Sequence, residues 1–168
     1  MPIDFFIAKC QIENIRDKEF GICDDEDENE KTPAYVDTVQ PEKWVAIVKN
    51  ISEKSINFTA VDNCVDIMRE DGTPDFRCDA MLTNEDNIVF VELKEQMAGW
   101  ITHAVDEQLQ TTIDNFKANH DISKYRHKRA FACNKKYPNF RVSYKGKMDA
   151  FYKKNHIRLN LVREIVFK

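Results

Sequence analysis

Residues 76–95 read FRCDAMLTNEDNIVFVELKE. Two runs of strand-forming residues, 76–82 and 88–94, flank a polar stretch, 83–87, with turn character. Along the second run the side chains alternate. Val89, Val91 and Leu93 fall on one side, and Ile88, Phe90, Glu92 and Lys94 fall on the other. Both sides begin apolar, so this strand is expected to be buried on both faces. A carboxylate and an ammonium at its far end are costly unless paired or bound to something. If the two runs close symmetrically, Thr83 pairs with Ile88, and Asp79 lies across from Glu92 with Cβ atoms about 5 Å apart. A slip of one residue would send the two carboxylates to opposite faces. Lys94, roughly 7 Å further along, shares the face of Glu92.

Two facing carboxylates repel, and a divalent cation between them removes the repulsion. An all-oxygen pair suits Mg²⁺ or Mn²⁺, which keep several waters and accept phosphate oxygens. Such an ion lowers the pKa of a bound water and neutralises charge developing on a phosphodiester. Lys94 is placed to stabilise the attacking hydroxide and the transition state. The plainer alternative is a structural cluster of Asp, Glu and Lys.

Working outward, residues 100–119 read as a helix, with Ile101, Val105, Leu109, Thr112 and Phe116 along one stripe. Gln108 sits between Ala104 and Thr112 at the edge of that stripe, while Gln110 projects elsewhere. Upstream, Pro41 suits a first helical turn, and Trp44, Ile47, Val48 and Ile51 follow helical spacing. Residues 56–67 read as extended, and 70–74 as a turn. Downstream come a short strand at 129–133, a basic loop containing Pro138, a short helix at 149–154 and a final strand at 157–167. The order of helix, three strands, helix, strand predicts an α/β fold with a mixed central sheet. Residues 3–7 suit an early strand or a helix end.

This arrangement resembles the PD-(D/E)xK nuclease superfamily, which has the restriction-endonuclease-like fold. The match is Asp79 with Glu92 and Lys94 in RCDAML…VFVELKE, and it covers roughly residues 41–133. Pro74 and Asp75 also spell PD, but they lie nearer the preceding turn, which favours Asp79. The resemblance implies a metal-dependent phosphodiester hydrolase in which Asp79 and Glu92 hold Mg²⁺ or Mn²⁺. It assigns Lys94 to the nucleophile and transition state, and Gln108, as in RecB-like members, to positioning. A further carboxylate from the first helix would have to be Glu42 or Glu53.

The 168 residues and 19.7 kDa suit one domain. Up to Phe116 there are 10 Lys/Arg against 26 Asp/Glu, a balance of −16; from Lys117 there are 15 against 3, a balance of +12. A basic segment over 117–168 is the electrostatic footprint of a chain that meets phosphates. Lys117, Lys124, Arg126, Lys128, Arg129, Lys135 and Lys136 are the expected nucleic-acid contacts, with DNA the expected partner. Tyr125, Phe131, Tyr137, Phe140, Tyr144, Phe151 and Tyr152 interleave with these cations; most belong in the core, leaving one or two to stack on bases. The acidic run at 24–30 reads as an exposed loop. Rival readings are a non-catalytic nucleic-acid-binding module on the same fold, and a protein–protein interaction or inhibitor domain docking through that loop. A homodimer cutting both strands is compatible with so small a footprint.

Five cysteines, an odd number without a Cys-x-x-Cys pair, read as reduced core thiols. His103, His120, His127 and His156 show no metal-ligand spacing. With neither a membrane-length apolar run nor a basic leader, a soluble cytoplasmic protein without membrane contact is expected.

Overall fold

The computed structural model describes residues 2–25, 31–95, 99–136 and 144–168. Its strands are β1 (Gln11–Ile15), β2 (Glu19–Cys23), β3 (Tyr35–Asp37), β4 (Ala46–Asn50), β5 (Ile56–Ala60), β6 (Ala80–Thr83), β7 (Asn87–Lys94), β8 (His127–Asn134), β9 (Arg158–Asn160) and β10 (Glu164–Phe167). Two α-helices, α1 (Gln110–Asn119) and α2 (Lys145–Asn155), complete the set with short 3₁₀ turns and one π-helical segment. The architecture is mixed α/β.

Sheet A has the order β1-β5-β6-β7-β8-β9, and sheet B the order β10-β4-β2-β3. From β1 to β7 the neighbours in sheet A are antiparallel; β8 then lies parallel to β7, and β9 parallel to β8. Parallel neighbours need a crossover. The helix over residues 101–119 supplies one between β7 and β8, and α2 falls between β8 and β9.

Sheet A is buried on both faces, which explains the apolar character of its central strands. Val89, Val91, Leu93, Phe131 and Cys133 pack with Phe20, Val48 and Ile165 of sheet B. Ile88, Phe90, Ala130 and Ala132 face the helices through Val105, Leu109, Ile113, Phe116 and Phe151. The alternation along 88–93 is thus the one expected, and the expected helical stripe at 101, 105, 109, 112 and 116 is buried throughout.

The helix expected after Pro41 is corrected. Pro41–Lys43 forms only one 3₁₀ turn, after which Ala46–Asn50 is strand β4. Tertiary pairing overrides the helical spacing, because β4 bonds to β2 on one side and β10 on the other. Ala46 and Val48 point inward with strand period, and Ile51 is left exposed. Gly21 in β2 accommodates Trp44, since a Cβ at Gly21 would stand 1.9 Å from Trp44 Cγ. The expected terminal strand divides into β9 and β10, which serve different sheets. Residues 56–67 are extended only to Ala60 before a turn closed by Val65 N donating to Val61 O at 2.8 Å. In the 76–82 run only β6, from Ala80, is strand.

The cysteine reading is corrected in part. Cys10 and Cys64 are bridged, with Cα atoms 5.8 Å apart, whereas Cys23, Cys78 and Cys133 are free and buried. Residues 26–30 of the acidic run, Tyr137, Pro138 and Phe140 lie outside the described residues. Among the described residues, no helix is long and apolar enough to cross a membrane.

Candidate active site

The hairpin register sets the site. Thr83 pairs with Ile88, Leu82 with Val89, Met81 with Phe90 and Ala80 with Val91, so one further step brings Asp79 beside Glu92 as expected. Asp79 is fixed at two points. Its Oδ2 accepts a hydrogen bond from Leu93 N at 2.7 Å, and its carbonyl accepts one from Val61 N at 2.9 Å. Glu92 is only 1% exposed and Asp79 6%. Glu92 Oε1 lies 3.8 Å from Lys94 Nζ, an ion-pair contact too long for a good hydrogen bond.

Burial, the charge of Asp79 and a hydrogen bond with it hold the Glu92 carboxyl well above the usual carboxylate range. Burial also raises Asp79, against the opposing hydrogen bonds from Glu92 and Leu93 N. Two carboxylates in contact away from water cannot both stay charged and unbound. Either a proton shared between them or a cation bridging them resolves the conflict.

Three buried side-chain polar atoms lack a hydrogen-bond partner among the described residues: Glu92 Oε2, Gln108 Oε1 and Arg77 Nε. Native structures leave few such atoms, and each calls for a cause. Two belong to expected catalytic residues. The third belongs to the arginine two residues before Asp79. Arg77 holds the Asp62 carboxylate, Nη2 to Oδ1, at 3.1 Å, and that carboxylate in turn raises Asp79.

Gln108 lies in the π-helical stretch His103–Leu109, where Gln110 N reaches back five residues to Val105 O. π-Helical turns set within α-helices recur at functional sites. The Gln108 carbonyl accepts from Thr112 Oγ1 at 2.8 Å, and Thr112 Oγ1 accepts from Cys78 N at 2.7 Å. These bonds pin the helix to the residue next to Asp79, with Gln108 one turn away. Gln110 has a different task. It exchanges 2.8 Å hydrogen bonds with Asn155 and donates to Asp114, tying α1 to α2.

Among the described residues no three His, Cys, Asp or Glu side chains converge on one point. A cation here would rest on two carboxylates, with water and substrate oxygens completing its shell. Mg²⁺ is commonly held that way, and the unpartnered Glu92 Oε2 fits such a ligand. Sequence reasoning missed Asn134. It is buried at the end of β8, directly beside Lys94 in the parallel register. Its signal was an amide closing an apolar strand run. Thiol chemistry has no support here: burial pushes Cys78 up to about 12 and raises Cys133 as well.

The expected basic contacts do not form one surface. Lys135 and Lys136 follow β8 at the Lys94 end, where Lys135 N donates to Lys94 O at 2.9 Å and its Nζ lies 3.7 Å from Glu95. Arg126, Lys128 and Arg129 lie at the opposite end of β8, beside Asn87. Lys117 Nζ donates to Asn155 O at 3.0 Å. Lys124 stands over the rings of Phe6 and Tyr125. Arg129 donates to Val166 O at 2.9 Å and stacks on Phe131 and Phe167, which makes it largely structural. The chain gives no significant match to any family model, curated protein or solved structure.

Proposed function

We propose that the chain is a metal-dependent nuclease, hydrolysing phosphodiester bonds in nucleic acid, with DNA the expected substrate. Its sheet A core would be of the restriction-endonuclease-like type. The observation that carries the reading is the buried Asp79–Glu92 pair, with Glu92 Oε2 unpartnered and Lys94 on the same face. The antiparallel run β5-β6-β7, followed by a helix and the parallel strand β8, supports that reading as the later part of the expected order, although strand β4 stands where a leading helix was expected.

Asp79 and Glu92 would hold the Mg²⁺ or Mn²⁺. When bound, the ion supplies an activated water and charge neutralisation at the phosphate. Leu93 N fixes the orientation of Asp79, so the residue just ahead of β6 is held against Glu92 on strand β7 and the pair is preorganised. Lys94 places a positive charge beside Glu92 where negative charge develops in the transition state. Gln108 orients groups at the site through its amide oxygen, held on a helix anchored by Thr112.

The test is cleavage of circular duplex and single-stranded DNA with Mg²⁺, Mn²⁺ or EDTA, running wild type beside Lys94→Ala and Asp79→Asn. Metal-dependent cutting that both variants lose, by about 100-fold or more as removal of a transition-state charge partner typically costs, is the expected result. A second reading is a non-catalytic nucleic-acid-binding module, favoured by the near-complete burial of the pair. Binding without cutting in any metal, unchanged in both variants, would establish that module and end the nuclease reading.

A further inference from the structure

At the other end of sheet A, the starts of β7, β8 and β9 open on a cleft of about 720 Å³. Asn87, five residues before Glu92, lines it, which puts it roughly 17 Å along the strand from the carboxylate pair. Arg126, Lys128, Arg129, Arg158 and Lys168 supply five cations to its wall, with His127 and His156, and among the described residues no Asp or Glu side chain lines it. Arg129 is engaged with Val166 O, but Arg126, Lys128 and Lys168 have no ion-pair partner among the described residues. Such a concentration of like charge is destabilising in the empty protein and favourable only against a polyanion.

The wall also carries a flat ring. Tyr152, 45% exposed, lies in the last turn of α2. The Arg158 guanidinium stands 5.5 Å from its centroid and the His156 ring 6.0 Å away, edge-on. His156 ends the helix in a left-handed conformation, φ 58°, its N–H donating to Tyr152 O at 2.8 Å. The helix terminus thus fixes both rings beside the cations. A partly exposed ring, with the Arg158 guanidinium over it and neighbouring cations that lack an ion-pair partner among the described residues, suits a base stacked next to phosphates. An acidic polypeptide has use for the charges alone.

We infer that this cleft binds single-stranded nucleic acid, stacking a base on Tyr152 while Arg126, Lys128, Arg158 and Lys168 contact the backbone. The inference deepens the proposed function by locating where a strand is held, and it is read without cleavage. Fluorescence anisotropy of a labelled oligothymidylate 20-mer with the full chain in EDTA measures it. With four backbone contacts, log K should fall against log salt with a slope of about −3, at about −0.7 per contact. Tyr152→Leu should weaken binding about tenfold, and Tyr152→Phe should leave it intact. Arg126→Ala with Arg158→Ala should reduce the slope by about 1.4. Lys18→Ala, which removes one charge from the β1–β2 turn, should change nothing beyond non-specific attraction.

Binding in EDTA that responds this way supports the cleft even if no metal gives cutting, in which case the nuclease reading alone fails. Cutting with binding indifferent to Tyr152→Leu and to the double variant overturns the cleft and spares the nuclease. Equal competition by polyglutamate, together with a silent Tyr152→Leu, overturns it in favour of an acidic protein partner. Thermal melting of each variant confirms that a loss of binding is not a loss of fold.

Discussion

Glu92 faces Asp79 with almost no water around it, and this gives the protein a particular response to pH. A carboxyl whose pKa is raised by folding binds its proton more tightly in the folded state. Its contribution is fully present below the unfolded value, near 4.5 for a glutamate, and is lost as pH rises through the folded value, at up to about 1.4 kcal/mol per pH unit for one proton. In EDTA, urea denaturation should therefore show stability falling as pH rises above about 4.5. Glu92→Gln should remove most of that slope and be the more stable protein at the alkaline end, while Mg²⁺ should restore wild type there and leave the variant unchanged. A flat wild-type profile would show that the pair ionises without cost. Asp79, Glu92 and Lys94 were legible because side-chain alternation and hairpin symmetry are local rules. The orphaned amide of Gln108 was legible only as a position, since whether its partner exists depends on what packs across from it.

The elements divide along the same line. β6, β7 and the following helix could be read from short-range pattern. β4 could not: Trp44, Ile47, Val48 and Ile51, in and around it, have helical spacing, and only its two partner strands, one from each end of the chain, decide the matter. The role of Thr112 was hidden for the same reason. It read as one more member of an apolar stripe, yet its hydroxyl receives Cys78 N and passes the link on to Gln108 O. Thr112→Val keeps the shape and leaves the Cys78 N–H unsatisfied, so it should cost about 1–3 kcal/mol in chemical denaturation. On the nuclease reading, cleavage should fall further than that loss explains, because Asp79 is the next residue. Stability equal to wild type would mean that water replaces the hydroxyl.

Across the whole molecule, the Cys10–Cys64 bridge has a sequence separation of 54, and closing a loop of that length in the unfolded chain is worth about 4 kcal/mol. No spacing rule could have revealed it, because the partners are brought together by the pairing of β1 with β5, strands far apart in the sequence. The bridge stands against the cytosolic expectation, since such bonds persist mainly in oxidising compartments. Alkylation followed by mass spectrometry reads it directly. The native protein should take up almost no label, because burial shields Cys23, Cys78 and Cys133 and pushes the Cys23 thiol up to about 11. Unfolding without reductant should add three labels, and unfolding with reductant five; five in both cases would show that the bridge is absent.

Strand β7 lies between a helical layer and a second sheet, with a bonded neighbour on each edge. Its amides have no route to solvent that leaves the rest of the molecule intact, so their hydrogen exchange should follow global unfolding alone. Asp79 bonds to an amide of that strand. The carboxylate pair is therefore built into the last part of the protein to open, and fraying at the edges, in β1, β3 or β9, can proceed without disturbing it.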